Sequence, residues 1–318
     1  MKTIVLTALV LASAVSIAAN PQTSPGPRVV VLGTAQDGGI PHAGCTHSLC
    51  EAARKDRSLA RHVASLAIHL PKSGYMYLVD ATPDLPEQIE EIHEFRRYPE
   101  GRVDRAPMDG VLLTHAHIGH YLGLAHLGFE SLNTNGIPVY ASPRMAAFLR
   151  GSGPWSQLVR LGNITLRELE PGKPVELEEG VSVEPIQVPH RDEYSDTMGF
   201  FIRGPRRTLL YVPDTDSWRT WSRPLRQVIE EKRVDIALLD GTFYSPDELP
   251  DRDVTKIKHP LITESMDLLE PLVTAGKLWV HFTHLNHSNP ALDHDGPARK
   301  TIEGRGFRVL EEGEEFGL

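Results

Sequence analysis

Short apolar segments alternate with polar stretches rich in Gly and Pro along most of the chain. Brief runs of β-branched, leucine and aromatic residues are typical of half-buried or buried strands. The pattern predicts strands over residues 28–32, 62–70, 75–79, 110–113, 137–140, 164–169, 175–177, 181–188, 197–202, 208–212, 236–239, 278–282 and 307–310.

Amphipathic segments of helical periodicity separate many of these strands. They predict helices over residues 50–58, 83–95, 122–132, 143–149, 221–232, 268–274 and 298–303. A series of strands with interspersed helices is thus followed by a second series of the same kind. This order fits an α/β fold in which two mixed β-sheets pack together with helices outside, a four-layer αββα sandwich.

The beginning of the chain differs from the rest. Lys2 precedes an apolar run over residues 4–19 that ends in small residues, which is the pattern of a secretory signal peptide. An uncleaved membrane anchor is the alternative, but the run is short for a span of about 20 residues. We therefore predict a signal peptide over residues 1–19, a linker over 20–27 and one domain over 28–318. The mature protein is then periplasmic or secreted, without stable membrane association.

The charge balance narrows the classes of partner. The 318-residue chain has a formal net charge of −9 with histidine neutral. An acidic protein binds nucleic acid and anionic membranes poorly. We expect a small-molecule substrate and no nucleic acid, and we leave the oligomeric state open.

Three histidines directly follow the predicted strand over residues 110–113. In an extended segment alternate side chains project to the same side, so His115 and His117 can reach one metal ion. His120 comes after the chain turns at Gly119 and is expected to face a second ion. Neutral imidazole is a good ligand for zinc, iron or manganese. A solvated His-rich loop is the alternative interpretation.

Three later strands also deliver a metal-binding residue type at their carboxyl ends. These residues are His190, Asp214 and His284. Strand ends are where α/β sheets present functional groups. Each of the three is weak by itself, but with the histidine cluster they indicate one metal centre.

These residues resemble the motifs of the metallo-β-lactamase superfamily. The segment over residues 114–120 resembles its HxHxDH signature. His190, Asp214 and His284 resemble its third histidine, bridging aspartate and last histidine. Asp80 resembles the aspartate that supports the metal ligands from outside. The resemblance extends over nearly the whole predicted domain and implies the αββα fold.

Three further segments resemble a narrower family, the pyrroloquinoline quinone (PQQ) biosynthesis protein B family. They lie at residues 33–39, 240–243 and 284–290. That family is itself similar to the phosphodiesterase of the carbon–phosphorus lyase pathway and, more distantly, to tRNA 3′-processing nucleases.

The chain departs from the superfamily signature at Gly119, where the signature has an aspartate that normally binds the second metal. The resemblance leaves a first site of His115, His117, His190 and Asp214, and a second of His120, His284 and a share of Asp214. We expect one firmly bound ion and a second that is weaker or absent.

The two cysteines lie in the segment C-x-H-x2-C. Relatives in the phosphodiesterase branch have a similar motif, completed by a histidine three positions after the last catalytic one, and His287 stands three after His284. The resemblance implies a structural zinc bound by Cys45, His47, Cys50 and His287. A Cys45–Cys50 disulfide in an oxidising compartment is the alternative.

Metal-assisted hydrolysis of an ester, lactone or phosphodiester is the leading functional hypothesis. A bound metal lowers the pKa of water to about 7. Asp214 and His284 are assigned catalytic roles besides metal binding, with one or two Zn2+ ions expected and Mn2+ or Fe2+ as alternatives. The narrower resemblance implies instead an oxygen-activating iron enzyme of PQQ biosynthesis, against which the signal peptide weighs. A non-catalytic binding protein on the same fold is the third hypothesis.

Overall fold

The computed structural model describes residues 26–96, 105–248 and 258–318. The predicted signal peptide and nearly all of the predicted linker lie outside the described residues. Within those ranges, none of the helices combines the length and the apolar character that crossing a bilayer requires.

The first sheet has seven strands in the described part of the chain, in the order β14-β1-β2-β3-β4-β5-β6. They are β1 (Arg28–Gly33), β2 (Ser65–Leu70), β3 (Tyr75–Val79), β4 (Gly110–Leu112), β5 (Ile137–Ala141), β6 (Ile164–Glu168) and β14 (Glu315–Gly317). The strands from β3 to β6 are parallel, whereas β2 is antiparallel to both β1 and β3. The end of the chain returns to pair β14 with β1.

The second sheet also has seven strands among the described residues, in the order β13-β12-β11-β10-β9-β8-β7. They are β7 (Val175–Glu176), β8 (Ser182–Val188), β9 (Thr197–Arg203), β10 (Thr208–Val212), β11 (Ile236–Asp240), β12 (Trp279–Thr283) and β13 (Arg308–Val309). The strands from β10 to β13 are parallel, and β7 to β10 pair antiparallel.

Helices connect the strands and cover the outer faces of the sheets. They are α1 (Ser48–Lys55), α2 (Leu85–Glu91), α3 (Ile118–Tyr121), α4 (Pro143–Gly151), α5 (Trp155–Leu161), α6 (Leu225–Lys232), α7 (Ile262–Thr274) and α8 (Pro297–Gly304). The helix predicted over residues 122–132 is wrong, because α3 is followed only by 3₁₀ turns over Leu122–Leu127. There the Gly123 N–H donates to the Ala81 carbonyl instead of continuing the helix.

Alternation along the strands accounts for the layers. Val29 and Val31 of β1 pack in the core between the two sheets, whereas Val30 packs in the core beneath the helices of the first sheet. On β10, Leu209 packs between the sheets and Leu210 packs towards the helices of the second sheet. Successive side chains of a strand point to opposite faces, so a continuous apolar run fills two cores. The predicted four-layer αββα sandwich is confirmed.

A carboxylate pair around His62 joins the segment before β2 to α2 and to the C-terminal segment. The His62 Nδ1 lies 3.2 Å from a Glu91 oxygen and 3.3 Å from a Glu312 oxygen. Hydrogen bonding to Glu312 and then to Glu91 raises the pKa of His62 from 6.5 to about 10. The folded protein therefore holds a proton that the unfolded chain releases at lower pH.

This linkage gives a pH-dependent stability. The contribution of His62 is fully present below pH 6.5 and is lost as the pH rises towards 10. We expect His62→Gln to flatten the decline in the free energy of unfolding over that interval by about 1–2 kcal/mol, allowing for the partial exposure of the group. Urea unfolding of both proteins across the interval measures the difference. Equal slopes would show that the pair contributes nothing.

Candidate metal centre

The carboxyl ends of strands from both sheets meet at one edge of the sandwich. His115 and His117 follow β4 of the first sheet. From the second sheet, His190 follows β8, Asp214 follows β10 and His284 follows β12. Because these strands run in the same direction at this edge, residues far apart in sequence lie in one cluster.

Four of the predicted ligands form the first donor set. One ligand atom from each of His115, His117, His190 and Asp214 lies within 4.8 Å of the others. The Asp214 Oδ2 atom is 3.3 Å from His115 Nε2, 3.8 Å from His117 Nδ1 and 3.1 Å from His190 Nε2. All but His117 are buried. Three imidazoles and one carboxylate are a donor set that suits zinc.

The second donor set contains a residue that sequence reasoning did not assign as a ligand. Asp37 lies with His120 and His284, and its Oδ1 is 3.5 Å and 3.9 Å from their Nε2 atoms. Both Nε2 atoms are also 4.0 Å from Asp214 Oδ2. Asp214 therefore stands between the two sets, as the bridging role predicted for it requires.

Asp80 supports the histidine cluster from beneath, as predicted by the resemblance. Its buried carboxylate accepts a hydrogen bond from the Thr114 N–H at 2.8 Å and lies 2.7 Å from His120 Nδ1. The Thr114 hydroxyl, 3.0 Å from the carboxylate, also lies 3.0 Å from His115 Nδ1. Protons on these Nδ1 atoms leave the Nε2 lone pairs free to face the centre.

A similar support stands on the second sheet. The His284 Nδ1 lies 2.9 Å from the Thr242 hydroxyl, which donates at 2.7 Å to Asp240. His284 has φ 60° and Asp80 has φ 69°, a left-handed conformation that costs a residue other than glycine about 1–3 kcal/mol. Such strain persists where the surrounding structure holds it, which is typical of functional sites.

Burial and neighbouring charges shift the pKa values of Asp214 and His115 in the cluster. Burial alone would raise the pKa of Asp214, but His259, His284 and the neighbouring histidines hold it well below its usual range. Burial, together with the positive charge of His120, lowers the pKa of His115 well below its usual value. Asp214 is thus charged and His115 neutral, the forms that bind metal. Burial works against protonation of His117, but hydrogen bonding to Asp214 and Glu193 raises its pKa.

The polar atoms of the second donor set that face the centre make no hydrogen bonds to the described residues. Asp37 Oδ1, His120 Nε2 and His284 Nε2 are buried and have no hydrogen-bond partner among the described residues. A buried polar atom without a partner costs about 1–3 kcal/mol, and folded proteins contain few of them. Three such atoms converging on one point, two nitrogens and one oxygen, fit a divalent cation.

His259 is a second group in the centre that was not assigned as a metal ligand from the sequence. Its Nδ1 lies 3.2 Å from Asp214 Oδ1 and 2.9 Å from Asp240 Oδ2. Burial works against protonation, but the charges of Asp240 and Asp214 raise the pKa of His259 well above its usual value. His259 precedes Pro260 outside any predicted strand, so no strand-end signal pointed to it.

The expectation of a structural zinc at Cys45, His47, Cys50 and His287 is corrected by the structure. Cys45 and Cys50 are joined in a disulfide, the alternative interpretation, with their Cα atoms 6.2 Å apart. Sulfur atoms bonded to each other are no longer thiolate ligands. His287 lies close to the residues just before this segment: its ring centroid is 4.6 Å from that of His42.

Comparison with known proteins agrees with this architecture. Residues 75–282 match the family described as the Beta-lactamase superfamily domain. Coenzyme PQQ synthesis protein B of Rhodopseudomonas palustris is 28% identical, over 92% of this chain and 99% of the relative. The same protein of Gluconobacter oxydans is 26% identical, over 91% of this chain and 98% of the relative.

Solved structures show the same fold. Zn2+-bound PqqB from Methylobacterium extorquens has a TM-score of 0.75 at 24% identity, covering 92% of this chain and all 100% of that one. A diphosphatase from the PhnP family has a TM-score of 0.63 at 21% identity, covering 91% and 96%. The chain therefore belongs to the metallo-β-lactamase superfamily, and within it the chain is similar to the coenzyme PQQ synthesis B proteins over 92% of its length.

Proposed function

We propose that the protein is a metal-dependent hydrolase that cleaves an ester, lactone or phosphodiester of a small molecule with a metal-activated water. One observation carries this proposal: a single carboxylate oxygen, Asp214 Oδ2, lies 3.1–4.0 Å from the inward nitrogens of five histidines in two donor sets. Two metal sites that share one carboxylate are typical of hydrolytic centres.

The residues present divide the work of such a centre. His115, His117, His190 and Asp214 would hold the first ion, and His120 and His284 would contribute to the second. When bound, the ions would lower the pKa of a water and polarise the substrate oxygen. Zinc fits the nitrogen-rich donors, and manganese or iron are alternatives.

His259 and Asp240 orient the shared carboxylate in this proposal. His259 Nδ1 lies 2.9 Å from Asp240 Oδ2 and 3.2 Å from Asp214 Oδ1, so a charged His259 would hold the Asp214 carboxylate with its Oδ2 towards the two donor sets. His259 is thus a positioning residue. We also propose for Asp214 and His284 the catalytic roles predicted from the sequence.

A role in PQQ biosynthesis is the second candidate, and the comparisons favour it. The curated relatives that match most of this chain are coenzyme PQQ synthesis proteins B. Iron in the same ligand set would then serve oxygen chemistry. The predicted export signal, which supports a site of action in the periplasm or outside the cell, weighs against cytoplasmic cofactor assembly.

Metal loading and paired assays distinguish the candidates. We expect the Zn2+- or Mn2+-loaded protein to hydrolyse p-nitrophenyl esters, bis(p-nitrophenyl) phosphate or a lactone. His115→Ala should lower that rate by about 100-fold or more and release metal, because it removes a direct ligand, and even outer partners of ligands contribute about 10–100-fold. His126→Ala, a histidine outside both donor sets, is the matched control.

Other outcomes would contradict the hydrolase. An iron-loaded protein that consumes oxygen and restores PQQ formation in a strain lacking protein B, with no hydrolysis, would establish the second candidate. If the purified protein binds no metal at the histidines, the non-catalytic binding protein would be the only remaining hypothesis.

A further inference from the structure

The departure at Gly119 has a counterpart elsewhere in the structure. A Cβ atom at position 119 would lie 2.7 Å from the Asp37 Cα and 2.9 Å from the Asp37 Cγ, closer than real Cβ contacts. The carboxylate of Asp37 thus fills the space in which a side chain at position 119 would begin. Glycine at position 119 therefore leaves room for both the backbone and the carboxylate of Asp37.

The Asp37 carboxylate faces His120 and His284, the histidines of the second site, which lacks the aspartate of the signature. Its Oδ1 is 3.5 Å from His120 Nε2 and 3.9 Å from His284 Nε2, and all three atoms are buried without a hydrogen-bond partner in the described part of the chain.

The loop that carries Asp37 is held by the backbone. The Gln36 N–H donates to the Leu285 carbonyl and the Leu285 N–H donates to the Thr34 carbonyl, both at 2.9 Å. On the other side, the Ala64 N–H donates to the Ala35 carbonyl at 2.8 Å. Because Leu285 directly follows His284, these bonds tie the Asp37 loop to one of the two histidines that it faces. Such preorganisation is what a metal ligand requires.

We propose that Asp37 is the acidic ligand of the second metal ion, taking the place of the aspartate that the signature has at position 119. The inference rests on the metal centre of the proposed function. The second site then consists of Asp37, His120, His284 and the shared Asp214, with the charge that the Gly119 departure had removed. This revises the sequence-based expectation of a weak or missing second ion.

Two kinds of variant test the proposal. Asp37→Asn removes the charge but keeps the shape, and Asp37→Glu keeps the carboxylate. Gly119→Ala removes no ligand atom but places a Cβ against the Asp37 backbone. The matched controls are Asp295→Asn, an exposed carboxylate, and Gly151→Ala, where an added Cβ meets nothing within 4 Å.

The readout is zinc binding, independent of activity. Chelator-treated protein is titrated with ZnCl2 by calorimetry, and bound zinc is counted by elemental analysis. We expect two ions per chain in wild type and both controls. Asp37→Asn and Gly119→Ala should keep the first ion and weaken the second by at least about 100-fold, because loss of a direct ligand exceeds the 10–100-fold effect of outer partners. Asp37→Glu should recover part of that loss.

Specific results would overturn the proposal. Two equally tight ions in Asp37→Asn, or a single ion in both wild type and Asp37→Asn, would show that Asp37 binds no metal, with the first site intact. A wild-type protein that binds no zinc would contradict the proposed metal centre as well, so the two failures are distinguishable.

Discussion

Asp214→Asn is expected to lower hydrolytic turnover by about 10³-fold or more and to reduce the bound zinc at both sites. The Asp214 Oδ2 lies 3.1 Å from His190 Nε2 in one donor set and 4.0 Å from His284 Nε2 in the other. The substitution removes the negative charge of the carboxylate that both metal ions contact. The ions then lose several kcal/mol of stabilisation, which corresponds to a rate loss of at least about 10³-fold. Zinc content and turnover of the purified variant measure the effect.

Asp216→Asn is the informative comparison. Asp216 lies two residues away, and its Oδ1 is 3.3 Å from the outward Nδ1 of His190. We expect a loss of only about 10–100-fold, as for other groups that orient a ligand without binding the ion. Full zinc content in Asp214→Asn would contradict the assignment of Asp214 as the shared ligand.

Asp80→Ala is expected to lower the free energy of unfolding by about 3–5 kcal/mol, the size of effect found when one partner of a buried charged network is removed. Asp80 is fully buried and is the hydrogen-bond partner of the Thr114 N–H and of His120 Nδ1. Alanine leaves these groups buried without partners, and it is less suited than aspartate to φ 69°. Urea unfolding of the metal-free proteins measures the loss.

Asp80→Asn separates charge from shape. Asparagine tolerates the left-handed backbone and can still accept one hydrogen bond, so its loss should be smaller than that of alanine. Exposed Asp295→Ala serves as the control for removal of a carboxylate. A loss below about 1 kcal/mol in Asp80→Ala would show that the network under the histidines contributes little to stability.

The strands were the most predictable part of the fold, for a physical reason. Runs such as residues 28–32 and 208–212 are apolar on both faces because each fills one core between the sheets and another beneath the helices. The segment after His120 was less predictable. Its apolar residues have helical spacing, but the tertiary bond from the Gly123 N–H to the Ala81 carbonyl leaves only 3₁₀ turns.

As with the fold, some residues of the candidate site could be predicted from the sequence and others could not. Residues at the ends of predicted strands, such as His190, Asp214 and His284, could be placed together because parallel strands end at a common edge. Asp37 and His259 could not, because they lie in irregular segments whose course depends on tertiary contacts. Gly119 was the available signal for Asp37, since a missing ligand in a signature suggests a replacement elsewhere.

The prediction that the two cysteines bind zinc was wrong. Spacing alone allowed Cys45 and Cys50 to bind zinc or to bond each other, and the structure has the disulfide. The signal peptide and the export that it implies fall on residues outside the described ranges and stay a prediction.

Anomalous diffraction at the zinc edge from crystals of the zinc-loaded protein tests the shared centre most directly. We expect two peaks on either side of Asp214 Oδ2, with zinc–nitrogen distances of about 2.0–2.1 Å. The first should contact His115, His117 and His190, and the second Asp37, His120 and His284. Zinc bound elsewhere, with neither peak touching Asp214, would show that Asp214 is not the ligand shared by two metal sites.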